Sequence, residues 1–359
     1  MQALSPAALA APPAAAAAAS APFPALDELR ATAGRLHGRV LHTPVWRWQT
    51  GVVQRLQPPT EVWLKLELLQ RTGSFKLRGA LNAIAQLDDA ARARGVCAAS
   101  AGNHAMAVAE AARAAGTRAK LAMPRTASPA RMAACRDAGA EVLLFDTIRE
   151  AFDAARALVD SEGRTMIHPF DGPLTAAGTG TVGLELMDAV PELDAVVVPV
   201  GGGGLAGGIA AAVKQLNPRC RVYGVEPEGA DAMSRSFEQG RPATLERVDT
   251  VADSLGAPYA LDYSFGVCRR FVDEIVRVSD DALCQALFWL FRDMKLAVEP
   301  AGAAATAALF GPLRQRLEGR RVGLIVCGAN LDAEGFARLL ARGAAVDAAP
   351  ADASAAAGA

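Results

Sequence analysis

Lys76 is the residue on which chemistry could turn, because of where it stands in Leu68–Ala80, which reads L-L-Q-R-T-G-S-F-K-L-R-G-A. Gly73 supplies a bend and Ser74 a cap oxygen, and from Phe75 to Leu87 apolar residues recur at helical spacing. Lys76 is therefore expected in a first helical turn. There the partial positive charge of the helix terminus, and burial beside Phe75, both disfavour an ammonium. A neutral amine is a nucleophile that can condense with an aldehyde, and pyridoxal phosphate is the aldehyde that proteins commonly hold in this way. Taken alone, such a lysine would be a snorkelling surface residue; the flanking motif is what argues otherwise.

Three further stretches could serve that lysine. The run Ala195–Val200 followed by Gly201, Gly202, Gly203 and Gly204 reads as a buried strand ending in four glycines, with a helix opening at Leu205. Amides freed of side chains can converge on an anion in front of a helix N-terminus, so a phosphate is the natural occupant. The same stretch also fits a dinucleotide fingerprint through Gly202, Gly204 and Gly207, with Glu226 ending the next strand, and a nicotinamide-dependent oxidoreductase is the alternative of another class. Ser100-Ala101-Gly102-Asn103-His104 lies between a strand and a helix, where Ser100 or Asn103 could be a plain cap or part of a ligand loop. Cys327 follows the last apolar strand and Glu299 precedes a proline at a helix start; a core thiol and an ordinary first-turn carboxylate are their plainer readings.

T-G-S-F-K-L-R-G-A resembles the cofactor-lysine motif of the pyridoxal-phosphate-dependent serine/threonine dehydratase and serine racemase family, of the tryptophan synthase β-like fold type II. The resemblance runs from roughly Gly38 to Leu340 and takes in the other stretches in order. It implies that Lys76 carries the cofactor beside Phe75, and that Gly201–Gly204 and Leu205 receive its phosphate. It also implies that Asn103 meets the phenolic oxygen, Glu299 borders the ring and Cys327 faces the pyridine nitrogen, where the family usually has serine or threonine. Ser100, Ala101, Asn103 and His104 would form the loop that holds the substrate carboxylate. Racemases of the family carry serine where this chain has Ala101, and alanine has no proton to give, so elimination is favoured over racemisation. The implied activity is an ammonia-lyase acting on L-threonine, L-serine or a relative with a larger β-substituent, with an amino-acid racemase as the nearer alternative. A homodimer is implied as well. Of a divalent-cation site in some members, Glu226 and Ala230 match, but Ala232 replaces an aspartate, and no metal is expected. Thr179, where glutamine is common, hints at an altered pocket.

These groups need a scaffold of some size. The 359 residues exceed one ordinary core, so two lobes are expected. A net charge of −1 gives no basic excess for nucleic acid or acidic membranes. The cysteines form no C-x-x-C pair and the four histidines no H-E-x-x-H, which argues for reduced thiols and against zinc chemistry. No apolar run is long enough to span a membrane, and the N-terminal stretch lacks signal-peptide character, so cytoplasmic residence is the default.

A helix is expected at Leu26–Leu36. Strands are expected at 61–67, 96–100, 119–124, 141–145, 166–170, 194–200, 221–226 and 321–327, with helical stretches between most of them. This alternation predicts an α/β fold of open parallel sheets with helices on both faces. The expected domains are an alanine- and proline-rich disordered leader at 1–25 and a cofactor-binding lobe from 26–94 plus 171–342. A small lobe is inserted at 95–170, and a disordered alanine-rich tail follows at 343–359.

Overall fold

The computed structural model describes residues 23–349. Ten strands, β1 (Val45–Trp48), β2 (Glu61–Lys65), β3 (Val96–Ala99), β4 (Ala119–Pro124), β5 (Glu141–Phe145), β6 (Thr165–Met166), β7 (Ala195–Pro199), β8 (Arg221–Pro227), β9 (Glu274–Val278) and β10 (Arg321–Ile325), divide between two sheets. One has the order β1-β2-β10-β7-β8-β9 and the other β5-β4-β3-β6. All pairings are parallel except β1 with β2, which makes β1 an antiparallel edge. Every residue of β3 and of β7 is buried, as expected of parallel strands covered on both faces, and this explains why they read as unbroken apolar runs.

The helix Lys76–Ala85 joins the two halves. Its Leu77, Ala80, Leu81 and Ile84 pack in one core with Val96, Ala98 and Leu121 of the smaller sheet. On its other side it meets the helix Pro173–Ala189 at backbone distance, since a Cβ on Gly178 would lie 2.6 Å from the Arg78 carbonyl oxygen. Arg78, fully buried, donates to both carboxylate oxygens of Glu67 at 2.8 Å and to Glu185 at 2.6 and 2.8 Å. Buried Lys65 also donates to Glu185, at 2.5 Å, and to the Thr43 carbonyl at 2.8 Å. The end of β2, the lysine helix and the helix behind it are thus tied by one buried ionic network.

The structure corrects several sequence expectations. The lysine helix ends at Ala85, not Leu87, and its cap position is Phe75 with no side-chain cap. Ser74 Oγ does not cap it; that oxygen is buried without a hydrogen-bond partner. The second strand stops at Lys65, and Glu67–Leu69 form a 3-10 turn. The strand expected at 166–170 is only Thr165–Met166, because His168 to Asp171 turn into the site. Of the expected leader, 1–22 lie outside the described residues, whereas Phe23 packs edge-on against Tyr263 and Phe271. Of the expected tail, 350–359 lie outside the described residues, but the helix Ala333–Ala348 carries the fold past 342. Asp347 anchors it by accepting from Trp289 Nε1 at 2.7 Å and Arg292 Nη1 at 2.8 Å.

Candidate active site

Lys76 is the first residue of its helix. The segment before it is stitched to the end of β10: the Phe75 amide donates to Cys327 O at 3.1 Å, Ala329 N donates to Gly73 O at 2.9 Å, and Ser74 bridges Gly328. This places the lysine over the C-terminal ends of the strands, where ligand loops of open α/β sheets gather. Its Nζ donates to the Pro169 carbonyl at 2.5 Å and lies 5.1 Å from the Phe75 ring centroid. Burial lowers its pKa to about 8, against the opposing pull of Cys327 and Glu299. The amine expected from sequence is present, depressed chiefly by desolvation.

A cavity of about 610 Å³ opens in front of it, lined among others by Ser100–His104, Gly201–Leu205, Glu299 and Cys327. The glycine loop leaves β7 and turns into the helix Gly204–Leu216, which opens one residue before the expected Leu205. Gly203 has φ +90°, and a Cβ there would lie 2.5 Å from Met233 Cε. A Cβ on Gly202 would lie 2.2 Å from the Phe170 ring, and one on Gly204 equally close to the Phe170 carbonyl oxygen. Three of the four positions thus exclude a side chain. Thr179 braces the loop, its Oγ1 donating to Gly204 O at 2.7 Å.

Asn103 begins the helix Asn103–Ala114, whose cap is Gly102 without a side-chain bond. Neither Ser100 nor Asn103 caps the helix. Ser100 Oγ accepts from Gly102 N at 3.1 Å, tightening the loop. Asn103 Nδ2 donates to Glu299 Oε1 at 2.7 Å, and its Oδ1 accepts from Asn330 Nδ2 at 2.7 Å. Glu299 is buried, its pKa raised to about 7 by desolvation first and Asp253 second, and its Oε2 has no hydrogen-bond partner. The Cys327 thiol is raised well above its ordinary range by burial and by Glu299, so it is a neutral, weak donor.

His104 Nε2 bonds the Ile167 carbonyl at 2.8 Å, and His168 Nδ1 accepts from Asp171 N at 2.9 Å. Desolvation, then charged neighbours including Lys76, lowers both imidazoles to about 3, so both are neutral. His104 thus lines the cavity with its Nε2 engaged by the backbone. Ala101 brings only a methyl group to the cavity lining.

A family profile described as "Pyridoxal-phosphate dependent enzyme" matches residues 38–328. Phenylserine dehydratase of Ralstonia pickettii is 53% identical over 286 residues, which span 80% of this chain and 88% of that protein. The crystal structure of a threonine deaminase from T.th. is 40% identical, with a TM-score of 0.81, covering 86% of this chain and 99% of that one. Maize serine racemase is 33% identical, with a TM-score of 0.82, covering 89% and 98%. The chain belongs to the pyridoxal-phosphate-dependent enzyme family. Its site fits that cofactor on physical grounds: a buried lysine whose pKa is lowered, a loop packed too closely against Phe170 and Met233 to carry side chains, and buried oxygens on Ser74 and Glu299 with bonding capacity unused. The dinucleotide reading of Gly202, Gly204 and Gly207 gives way, since it leaves Lys76 idle.

Glu226 accepts from Met233 N at 2.9 Å and from Ser234 N and Oγ at 2.7 Å, so protein donors occupy the carboxylate that would serve a cation. Among the described residues no cluster of three or more His, Cys, Asp or Glu could hold a metal ion, and no helix is long and apolar enough to cross a membrane. All six cysteines are unpaired and buried.

Several residues of the site escaped sequence reasoning. Arg131, Asn330, Asp253, Ser254, Phe170 and Tyr259 reach it from several segments of the chain. Their approach depends on long-range packing that no local spacing encodes.

Proposed function

We propose that this chain converts a β-hydroxy amino acid into a 2-oxo acid and ammonia, and that its preferred substrate carries an aryl group on Cβ. Lys76, Gly201–Leu205, Asn103, Glu299 and Cys327 would hold pyridoxal phosphate, which would supply the electron sink that acidifies the α-proton. Lys76 Nζ, once the substrate amine has taken its place, takes that proton and returns it to the departing β-hydroxyl, which leaves as water. Ser100 and the amides of its loop bind the substrate carboxylate. Cys327, a weak donor facing the ring nitrogen, would leave the sink modest, which favours prompt loss of the β-hydroxyl. Ala101 offers no second acid on the opposite face, which supports elimination over racemisation.

The observation that carries the aryl preference is the cavity. The cofactor takes part of its volume of about 610 Å³, but the wall also includes Ile148, Phe152, Met166, Phe170 and Tyr259, apolar surface that a hydroxymethyl group would leave uncovered. The 53% identity to a phenylserine dehydratase supports the same reading. With the loaded enzyme, release of 2-oxo acid should show kcat/KM for L-threo-3-phenylserine at least about tenfold above L-threonine and L-serine, the worth of one well-buried apolar group. Equal or reversed ratios would refute the aryl preference; no oxo acid from any of the three would refute elimination. A homodimer is part of the same reading, and light scattering would show it as twice the 37.1 kDa chain mass.

A further inference from the structure

We infer that Arg131 is a positioning residue that fastens the substrate loop and Glu299 across the seam between the two sheets. Arg131 lies on the helix Pro129–Asp137, which connects β4 to β5 in the smaller sheet, yet its side chain ends among residues of the larger part. Its Nε donates to Asn330 O at 3.0 Å, Nη2 donates to the same oxygen, and Nη1 donates to Asp253 Oδ2 at 2.7 Å. Nη2 also stands 3.9 Å from Glu299 Oε2, the buried carboxylate oxygen that has no hydrogen-bond partner.

The substrate loop rests on this guanidinium, because a Cβ on Gly102 would lie 2.8 Å from Nη1. Asn330 closes the circuit: its Nδ2 donates to Asn103 Oδ1 and to Thr72 O, each at 2.7 Å, while Asn103 Nδ2 donates to Glu299 Oε1. Arg131, Asn330, Asn103 and Glu299 therefore form one ring, drawn from both halves of the molecule. Only a planar fork can serve Asn330 O and Asp253 together and still face Glu299; an ammonium cannot.

The ring sets charge as well as position. Glu299 faces Asp253, Arg131, Asn103, Ser254, Lys76 and Cys327. Burial and Asp253 hold its proton on, whereas Arg131, Asn103 and Ser254 favour its release. Removing the guanidinium therefore moves Glu299 ionisation to higher pH.

Two variants and two readouts test this. In the apoprotein, Arg131→Met should speed amide exchange across Ser100–Met106 by at least about tenfold, with β7 unchanged, since only a local unit is loosened. In the loaded enzyme, where the cofactor occupies Lys76 and Glu299 is the group of the site that titrates near 7, the acid limb of kcat/KM should move up by more than roughly half a pH unit. Arg131→Lys should speed exchange of the loop but keep the acid limb near its original place, because charge is retained and the fork is lost. If the methionine variant fails to fold, exchange in the lysine variant decides. Loop exchange and acid limb both unchanged, or exchange raised equally in β7, would overturn the assignment and leave Arg131 a merely structural ion pair.

Discussion

Lys76 shows how far one residue can be read from its neighbours. Its place in a first helical turn follows from the bend, the helical spacing and the apolar flank, all within a dozen residues. Its partner Pro169 O, 93 residues on, could not be read that way. Ser74 makes the same point in reverse, since a perfect local cap candidate is held by its bridge to Gly328 in a pose where it caps nothing. The amine has a testable signature. Its folded pKa is lowered to about 8, so it is an ammonium below that pH and a nucleophile above it. Capture of added pyridoxal phosphate by the apoprotein should quicken about tenfold per pH unit on approaching 8, then level off. A rate that is flat from about pH 6 to 9 by stopped-flow absorbance would mean that desolvation does not control this lysine.

At the scale of elements, strand, glycine loop and helix form a unit whose existence was legible and whose detail was not. Four glycines after an apolar run can be read as an anion cradle, but which of them is irreplaceable depends on what packs behind. Gly203 is in the left-handed region, and its Cβ would strike Met233 Cε at 2.5 Å; Gly201 is not, and its Cβ would meet Leu255 at 3.3 Å. Gly203→Ala should therefore cost about 1–3 kcal/mol in urea denaturation and weaken cofactor binding, whereas Gly201→Ala should do so less. Equal losses in the two variants would contradict this account of the loop. The β6 strand was overestimated for a related reason. The run 166–170 fits the alternation of strands and helices, yet beyond Met166 the backbone is claimed by the His168 ring and by the glycine loop.

For the whole molecule, the α/β class and the parallel character of the sheets followed from the alternation of apolar runs and helical stretches, whereas the order of strands within each sheet did not. The joining of the two sheets did not. That joint includes the buried network of Lys65, Glu67, Arg78 and Glu185, in which R of K-L-R-G-A is committed to architecture rather than to the ligand. Arg78→Met takes the ion-pair partner from buried Glu67 and leaves Glu185 with Lys65, and should cost about 3–5 kcal/mol, read as a lowered urea midpoint; a change below about 1 kcal/mol would show the network to be dispensable. In the function proposed, Lys76 holds the cofactor in the cavity that residues of both halves line. The most direct measurement is borohydride reduction of the protein loaded with pyridoxal phosphate, followed by peptide mapping. The expected result is one reduced adduct, on Lys76, absent from Lys76→Ala. An adduct on another lysine, or none in a protein that binds the cofactor, would contradict it.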